Sequence, residues 1–450
     1  MSSQLGLYNR RQFLERSAWG FGSLLVSSSL LQSCINDHNI PQIIPPGLGD
    51  DVDWNNDAKL AVATALGYIP EVGVFVSALV TIIWPFSGSS PWDGVKAQVE
   101  ALVDQKLADD DYNRVTANLA GLRGVIGDYK QAITNNADIK TYWIIAFTDC
   151  DLYQPSFQQK GDEVLLLPLF AQFANLYMGL LRDVVLFGKS WGMTDTEIQT
   201  YTQKFDDKFT EFTNYAYTTY SNGRAPKLNI PRDDKAMEPF RSTNTYDRFM
   251  TMLVLDYMDA WGYFNPRLYP NGAVNPDGTK IRIFTREIYS DPYGNRVNFD
   301  RKTPPFALPS EPAYDFPTQI TVWAGHRIDA VQLTYPAGDG PNNVTTTPRM
   351  GDSNGGSPYT FDTGSAIPIT KVVVSYDWTA GMTATQVIDS LQFTFNNGYQ
   401  TGTMGTTQGQ FTPSAGYNGY GLSSIYIDGV DETLSYAANC IVFGFLPWPK

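Results

Sequence analysis

The residues that could do covalent chemistry in this chain are few and scattered. Gly188-Lys189-Ser190-Trp191-Gly192 fits the Gly-x-Ser-x-Gly pattern of a hydrolase nucleophile. That pattern needs a strand before the serine, a helix after it and a histidine in reach. Here a long apolar segment precedes it, and the chain holds only two histidines, His38 and His326. Neither has metal-ligand spacing with Cys, Asp or Glu, so no metal site and no cofactor is expected. Ser190 is therefore read as part of a helix C-terminus, with Gly188 and Gly192 as stop signals. Asp109–Asp111 is read as the acidic start of a helix, favoured by the helix dipole. Enzymatic catalysis is not expected.

The chemistry that remains is partition between water and lipid. Val164–Leu181, VLLLPLFAQFANLYMGLL, carries no charge in a chain of formal net charge −14. Glu163 precedes it and Arg182-Asp183 follow it. As a helix it would measure about 27 Å, close to the hydrocarbon thickness of a bilayer. The same run suits the central helix of a large bundle, which is apolar all round. Gln172, Asn175 and Tyr177 either face a pore lumen or bond inside such a bundle.

The elements around this segment set its context. A chain of 450 residues is too long for one ordinary core, so several domains are expected. Charged residues make up only 17%, with 26 Tyr and 25 Phe, which excludes extensive disorder. The acidic balance excludes nucleic acid and simple electrostatic attachment to anionic lipid, and leaves glycan receptors open. At the N-terminus, Arg10-Arg11 and the uncharged run Ser17–Ser33 fit a twin-arginine export signal. Leu31-Gln32-Ser33-Cys34 fits a lipobox, which makes Cys34 the lipidated residue. The protein is thus expected to be exported, lipid-anchored or surface-exposed. Cys150 and Cys440 fall in different domains and are not expected to pair.

Residues 35–56 read as a tether. From Lys59 the pattern is helical. Leu60–Ile69 and Val72–Trp84 are apolar pieces broken at Pro70. Val95, Val99, Leu102 and Leu107 form one stripe, and Val115, Leu119, Leu122, Ile126, Tyr129 and Ile133 another. Asn135–Asp138 is a turn, and Ile139–Phe157 is a helix that forms a hairpin with the apolar segment. Thr194-x-x-Glu197 is a capping box opening the stripe Ile198, Tyr201, Phe205, Phe209, Phe212. Ser221–Asp234 reads as a polar loop. Tyr246, Met250, Leu253, Tyr257 and Trp261 mark a last helix, stopped by Gly262 and Pro266. After Asn271 short alternating runs replace helical stripes. Ile328-Asp329-Ala330 before Val331–Tyr335 repeats as Ile388-Asp389-Ser390 before Leu391–Phe395, with Leu422–Ile427 as a third copy. Repeated hairpins imply a pseudo-symmetric all-β domain, with His326 at the start of a strand.

The blocks between Asp57 and Gly294 resemble the crystal δ-endotoxins. Val164–Trp191 is similar to the family's central helix, through Leu165-Leu166-Leu167-Pro168-Leu169-Phe170-Ala171-Gln172, Ala174-Asn175-Leu176, Leu181-Arg182-Asp183 and Phe187-Gly188-x-x-Trp191-Gly192. Ile69-Pro70-x-x-Gly73, Ala97–Lys106, Arg267-Leu268-Tyr269-Pro270 and Thr285–Pro292 resemble other family blocks in the same order. The departures are Tyr177, where the family usually has His, and Gly179 in a leucine-rich turn, where glycine weakens a helix in water. The resemblance implies a seven-helix pore-forming domain over 57–275 whose fourth and fifth helices enter the membrane. The membrane-insertion residues would be Trp143, Ile144, Phe147, Leu166, Leu169, Phe170, Phe173, Leu176 and Leu180. The C-terminal part, 314–450, resembles a jacalin-like β-prism through Ile328–Tyr335, Val387–Phe393 and Ile441–Gly444; 276–313 is a junction. Such lectins bind sugar with an early Gly-rich loop and a late Gly-x-x-x-Asp loop. In the late loop, 429–439, Asp431 and Asn439 are the receptor or glycan candidates, without that motif in register.

The resulting expectation is an α+β multidomain chain, a seven-helix bundle followed by a β-prism. Its function would be a pore-forming toxin, insecticidal in the family's manner. Its partners would be a target-cell membrane, a surface glycan or glycoprotein receptor, and further copies of itself in the pore. A non-lytic lectin anchored through Cys34 is the alternative.

Overall fold

Apolar residues three and four apart dictate the first half of the molecule. In the computed structural model, the described residues are 59, 62–63, 66, 72–83, 91–233, 237–275, 278–294, 311–376, 387–406, 409–430 and 438–448. Arg10, Arg11, Cys34, Pro70 and Asp431 lie outside them. Among the described residues, seven helices follow one another. They are α1 (Val74–Ile83), α2 (Pro91–Val103), α3 (Asp109–Thr134), α4 (Ile139–Tyr153), α5 (Glu163–Phe187), α6 (Asp195–Leu228) and α7 (Phe240–Met250). The last continues through a π turn (Thr251–Leu255) into Asp256–Ala260.

Helix α3 buries Val115, Leu119, Leu122, Ile126 and Tyr129, the stripe read from the sequence, and three aspartates occupy its first turn. Leu107 is buried too, but from a loop. Asp104 turns the chain with φ 54 after α2, and the Leu107 amide donates to Glu100 Oε1 at 3.0 Å. The α-helix expected to reach Phe157 stops at Tyr153 and ends in a 3-10 turn, Gln154–Gln158, because Pro155 has no amide to donate. The Thr194–Glu197 capping box is formed, with Thr194 N donating to Glu197 Oε2 at 2.7 Å and Glu197 N to Thr194 Oγ1 at 3.2 Å.

Helix α6 overturns one expectation. Ser221–Leu228 is helix, not loop. Packing against α7 overrides the poor local propensity. Tyr246 donates to the Tyr220 carbonyl at 3.0 Å, and Arg224 Nε reaches both Asp247 oxygens at 2.8 Å. Gly223 allows the approach, since a Cβ there would meet Tyr246 Oη at 2.2 Å.

The second half is three four-stranded antiparallel sheets. The first orders β5 (Met350–Gly351), β4 (Ile328–Thr334), β3 (Gln319–Ala324) and β6 (Ser357–Asp362). The second orders β10 (Ser414–Ala415), β7 (Ile369–Tyr376), β8 (Ile388–Phe395) and β9 (Met404–Gly405). In the third, β12 (Ala438–Pro447) pairs with β11 (Tyr420–Val430), β1 (Ile288–Tyr289) and β2 (Tyr293–Gly294). Inward residues of all three form one core, including Ile320, Val331, Leu391, Phe393, Ile441 and Phe443.

The sheets share one device. Leu333 N donates to Thr347 Oγ1, Phe393 N to Thr401 Oγ1, and Phe443 N to Ser290 Oγ, each at 3.0 Å. Four residues after each hydroxyl stands a glycine with positive φ: Gly351 (112°), Gly405 (89°) and Gly294 (101°). A Cβ at these glycines would lie 2.2, 2.0 and 2.1 Å from the carbonyl oxygens of Asp329, Asp389 and Asn439. The third equivalent of Asp329 is thus Asn439 on β12. Leu422–Ile427, read as the third copy, instead pairs with β12 as β3 pairs with β4. His326 is exposed in the bend between β3 and β4, not in a strand.

Candidate membrane hairpin and glycan cradle

Helix α5 and its continuation, Glu163–Trp191, form a 29-residue segment long and apolar enough to cross a membrane, and 94% of its most apolar window is buried. Leu166, Phe170, Phe173, Leu176 and Leu180 are fully buried and Leu169 nearly so. From α4, Trp143 and Phe147 pack beneath, their rings stacked at 4.9 Å, and Trp143 Nε1 donates to the Leu180 carbonyl at 2.9 Å. Ile144 differs from them: it is exposed, together with Tyr142, Ile145 and Leu152 on α4. Hairpin helix α4 therefore meets water with an apolar face.

The polar groups of α5 bond inward. Trp261 Nε1 donates to Asn175 Oδ1 at 2.7 Å, and Asn175 Nδ2 to Gln172 Oε1 at 3.0 Å. Tyr177 donates to Asp151, whose other oxygen takes Lys204 Nζ at 2.7 Å. Of the two readings left open by sequence, bonding within the bundle describes this state. The helix end is also tied down. Tyr129 donates to Asp183 Oδ2 at 2.9 Å, and Arg182 donates to the carbonyls of Phe264 and Tyr269 at 3.0 and 2.9 Å. Gly179 has a packing reason, because a Cβ there would come within 2.9 Å of Leu79 on α1.

Ser190 occupies a 3-10 turn, Gly188–Trp191, and its hydroxyl donates to the Phe187 carbonyl at 2.6 Å. A helix precedes it, so the strand-turn-helix of a nucleophile is missing there. Gly192 supplies the left-handed stop at φ 83, whereas Gly188 is right-handed at φ −54. Among the described residues no His, Cys, Asp and Glu cluster is placed to hold a metal ion.

In the prism, the sequence candidates and the structural cradle differ. Asn439 is buried in β12, and Asp431 lies outside the described residues. Asp329 opens β4 as the last residue of Gly325-His326-Arg327-Ile328-Asp329, a Gly-x-x-x-Asp in the first repeat. Gly355-Gly356 crosses directly above it. A Cβ at Gly356 (φ 72) would lie 2.7 Å from Asp329 Oδ2, and one at Gly355 3.0 Å from its Cγ and 2.3 Å from Asp352 Oδ2. Arg349 stacks on Trp323 at 4.2 Å and donates to the Gly355 carbonyl. Burial raises the Asp329 carboxyl pKa; nearby Arg327 opposes this and Asp352 adds to it. The signal was present in the sequence, but in the early repeat and not in the late loop.

A further carboxylate is buried in the prism. Glu287 accepts from the hydroxyls of Ser423, Ser424 and Tyr289, and Gly444 makes room for it. Burial raises its pKa above the usual 4.5, against the pull of the serine hydroxyls. A carboxyl whose folded pKa exceeds its unfolded one adds stability below the unfolded value, and that contribution is lost as pH rises through the folded value. Urea midpoints should therefore fall as pH rises from 4.5 by more in the wild type than in Glu287→Gln. Parallel curves would refute this role.

Residues 61–265 match the family model described as delta endotoxin, N-terminal domain, and residues 290–429 match the jacalin-like lectin domain. Pesticidal crystal protein Cry19Ba of Bacillus thuringiensis subsp. higo is 33% identical over 252 residues, covering 52% of this chain and 35% of that protein. The chain thus spans about a third of that relative's length. Among solved structures, the Bacillus thuringiensis insecticidal crystal protein Cry7Ca1 superposes with a TM-score of 0.70 at 19% identity, over 88% of this chain and 75% of that one. PirB superposes with a TM-score of 0.67 at 16% identity, over 88% of this chain and 96% of that one. Those structural likenesses speak for the fold. The family descriptions are of a toxin domain and a lectin domain, not of an enzyme. The chain therefore joins a delta-endotoxin N-terminal domain, with its apolar central helix, to a jacalin-like β-prism.

Proposed function

We propose that this protein is a pore-forming toxin, insecticidal in the manner of its relatives. The β-prism recognises a surface glycan or glycoprotein, and the α4–α5 hairpin then leaves the bundle and enters the target membrane as part of a homo-oligomeric pore. The observation that carries this reading is α5, a bilayer-length apolar helix kept wrapped in water and joined by a short turn to a helix with an exposed apolar face. Export through the Arg10-Arg11 signal and lipidation at Cys34 belong to the same proposal. Receptor-bearing vesicles loaded with dye test it. The mature protein, intact or nicked by protease, releases the dye; no release across pH and protease conditions would sink the idea. Glycan binding without release would favour the anchored lectin instead.

Recognition has its own test in the Asp329 cradle. Asp329→Asn keeps the shape but removes the charged acceptor, whose hydrogen bonds are about twice as strong as neutral ones. Binding to the glycans that engage this cradle should weaken roughly tenfold, as read by glycan array and titration calorimetry. Unchanged affinity for every bound glycan would remove Asp329 from recognition.

A further inference from the structure

We propose that the β-prism carries a second ligand subsite, for a saccharide, at the end of its strands opposite the Asp329 cradle. This rests on reading the prism as a receptor-binding domain. Asp329 and Asp389 stand at the starts of β4 and β8, whereas Asn396 follows the end of β8 and Trp448 the end of β12. Eight residues of strand separate the two ends, roughly 25 Å. Between Asn396, Lys371, Tyr417, Asn418, Tyr420 and Trp448 lies a cavity of about 640 Å³, within the usual range for small-ligand sites.

The walls are built and not incidental. Trp448 is pinned twice, its amide to the Gly419 carbonyl at 2.7 Å and its indole N–H to the Ser365 carbonyl at 2.8 Å. Tyr417 is held from behind by the Arg248 guanidinium, 5.0 Å from its ring centroid, and the Tyr420 hydroxyl bonds Lys59. Gly416 lets the loop close on β7, for a Cβ there would strike the Thr370 carbonyl at 2.5 Å. Rigid aromatic walls lower the ordering cost of binding.

The lining chemistry selects the ligand class. Two carboxamides present donors and acceptors side by side, as a ring of hydroxyls requires. The part-exposed rings of Trp448 and Tyr417 offer apolar faces for the C–H side of a pyranose, whereas Tyr420 is buried. A purely apolar ligand would offer nothing to the exposed Asn396 carboxamide and the Lys371 ammonium. Lys371 is the one charged residue among the described residues of the lining, and none is a carboxylate. The subsite therefore admits saccharides bearing a carboxylate, which Lys371 would pair.

An array of mannose-, galactose- and uronic-acid-terminated glycans tests this with the full chain. The Asp329→Asn protein is expected to retain a subset enriched in uronic acids. Trp448→Ala should weaken that subset at least tenfold, and so should Asn396→Ala, a change at an exposed turn that spares the fold. A blank array for Asp329→Asn overturns the proposal, as does a retained subset that neither second substitution weakens. Dye release decides the pore reading separately, so the two failures are distinguishable.

Discussion

An aspartate in place of Ile145 leaves the folded protein intact and cuts dye release about a hundredfold. Ile145 is 44% exposed on α4 in the water-soluble form. Surface substitutions of this kind change stability by about 0.5 kcal/mol or less. Once α4 enters lipid, the same aspartate sits in hydrocarbon, at a cost of roughly 2.5–3.5 kcal/mol near the helix centre. At about 1.4 kcal/mol per tenfold, that is about two orders of magnitude. Leu268→Asp is the control, since Leu268 is 60% exposed and lies outside the hairpin. Thermal melts and vesicle leakage on the same preparations separate folding from insertion. Equal leakage from Ile145→Asp and wild type would mean that α4 stays out of the membrane.

Gly405→Ala should destabilise the prism by about 3 kcal/mol, combining backbone strain with a clash that the core cannot relax. Its φ is 89°, and a Cβ would lie 2.0 Å from the Asp389 carbonyl oxygen. Gly398 supplies the comparison. Its φ is 84°, yet nothing lies within 4 Å of an added Cβ. Gly398→Ala should cost only about 1 kcal/mol, the strain alone. Urea denaturation measures both. Equal losses would remove the close approach from the account and leave only the left-handed backbone.

Local signals were legible and contacts across the chain were not. The α3 stripe and the Thr194–Glu197 box need only neighbours within one or two turns, so the sequence displays them. Ser221–Leu228 is helical because of Tyr246 and Asp247, more than twenty residues on by the Arg224–Asp247 separation of 23, and no local pattern reports that. Leu107 reads as helix by spacing, but Asp104 has already turned the chain. The apolar helix α5 is legible because apolarity is a property of composition. The cradle was missed because its halves, Gly325–Asp329 and Gly355-Gly356, sit in the first repeat, away from the late loop that the lectin pattern indicates. The third repeat was misassigned because it is split, with Ser290 and Gly294 lying far upstream of Asn439.

That split has a consequence for the order in which the molecule is made. Gly294 pairs with Cys440, and Ile288 with Phe445. Closing the third sheet therefore joins the first strands of the prism to β12, which follows every other strand of it in the chain. Pairings of such long range are slow to form, because the loop between them must be ordered first. The helical bundle, whose core residues run only to Phe284, has no such wait within its own contacts. A nascent chain would thus hold a folded bundle while its β-prism is still an open ladder. Strand β12, Ala438–Pro447, acts as the clasp that closes the prism.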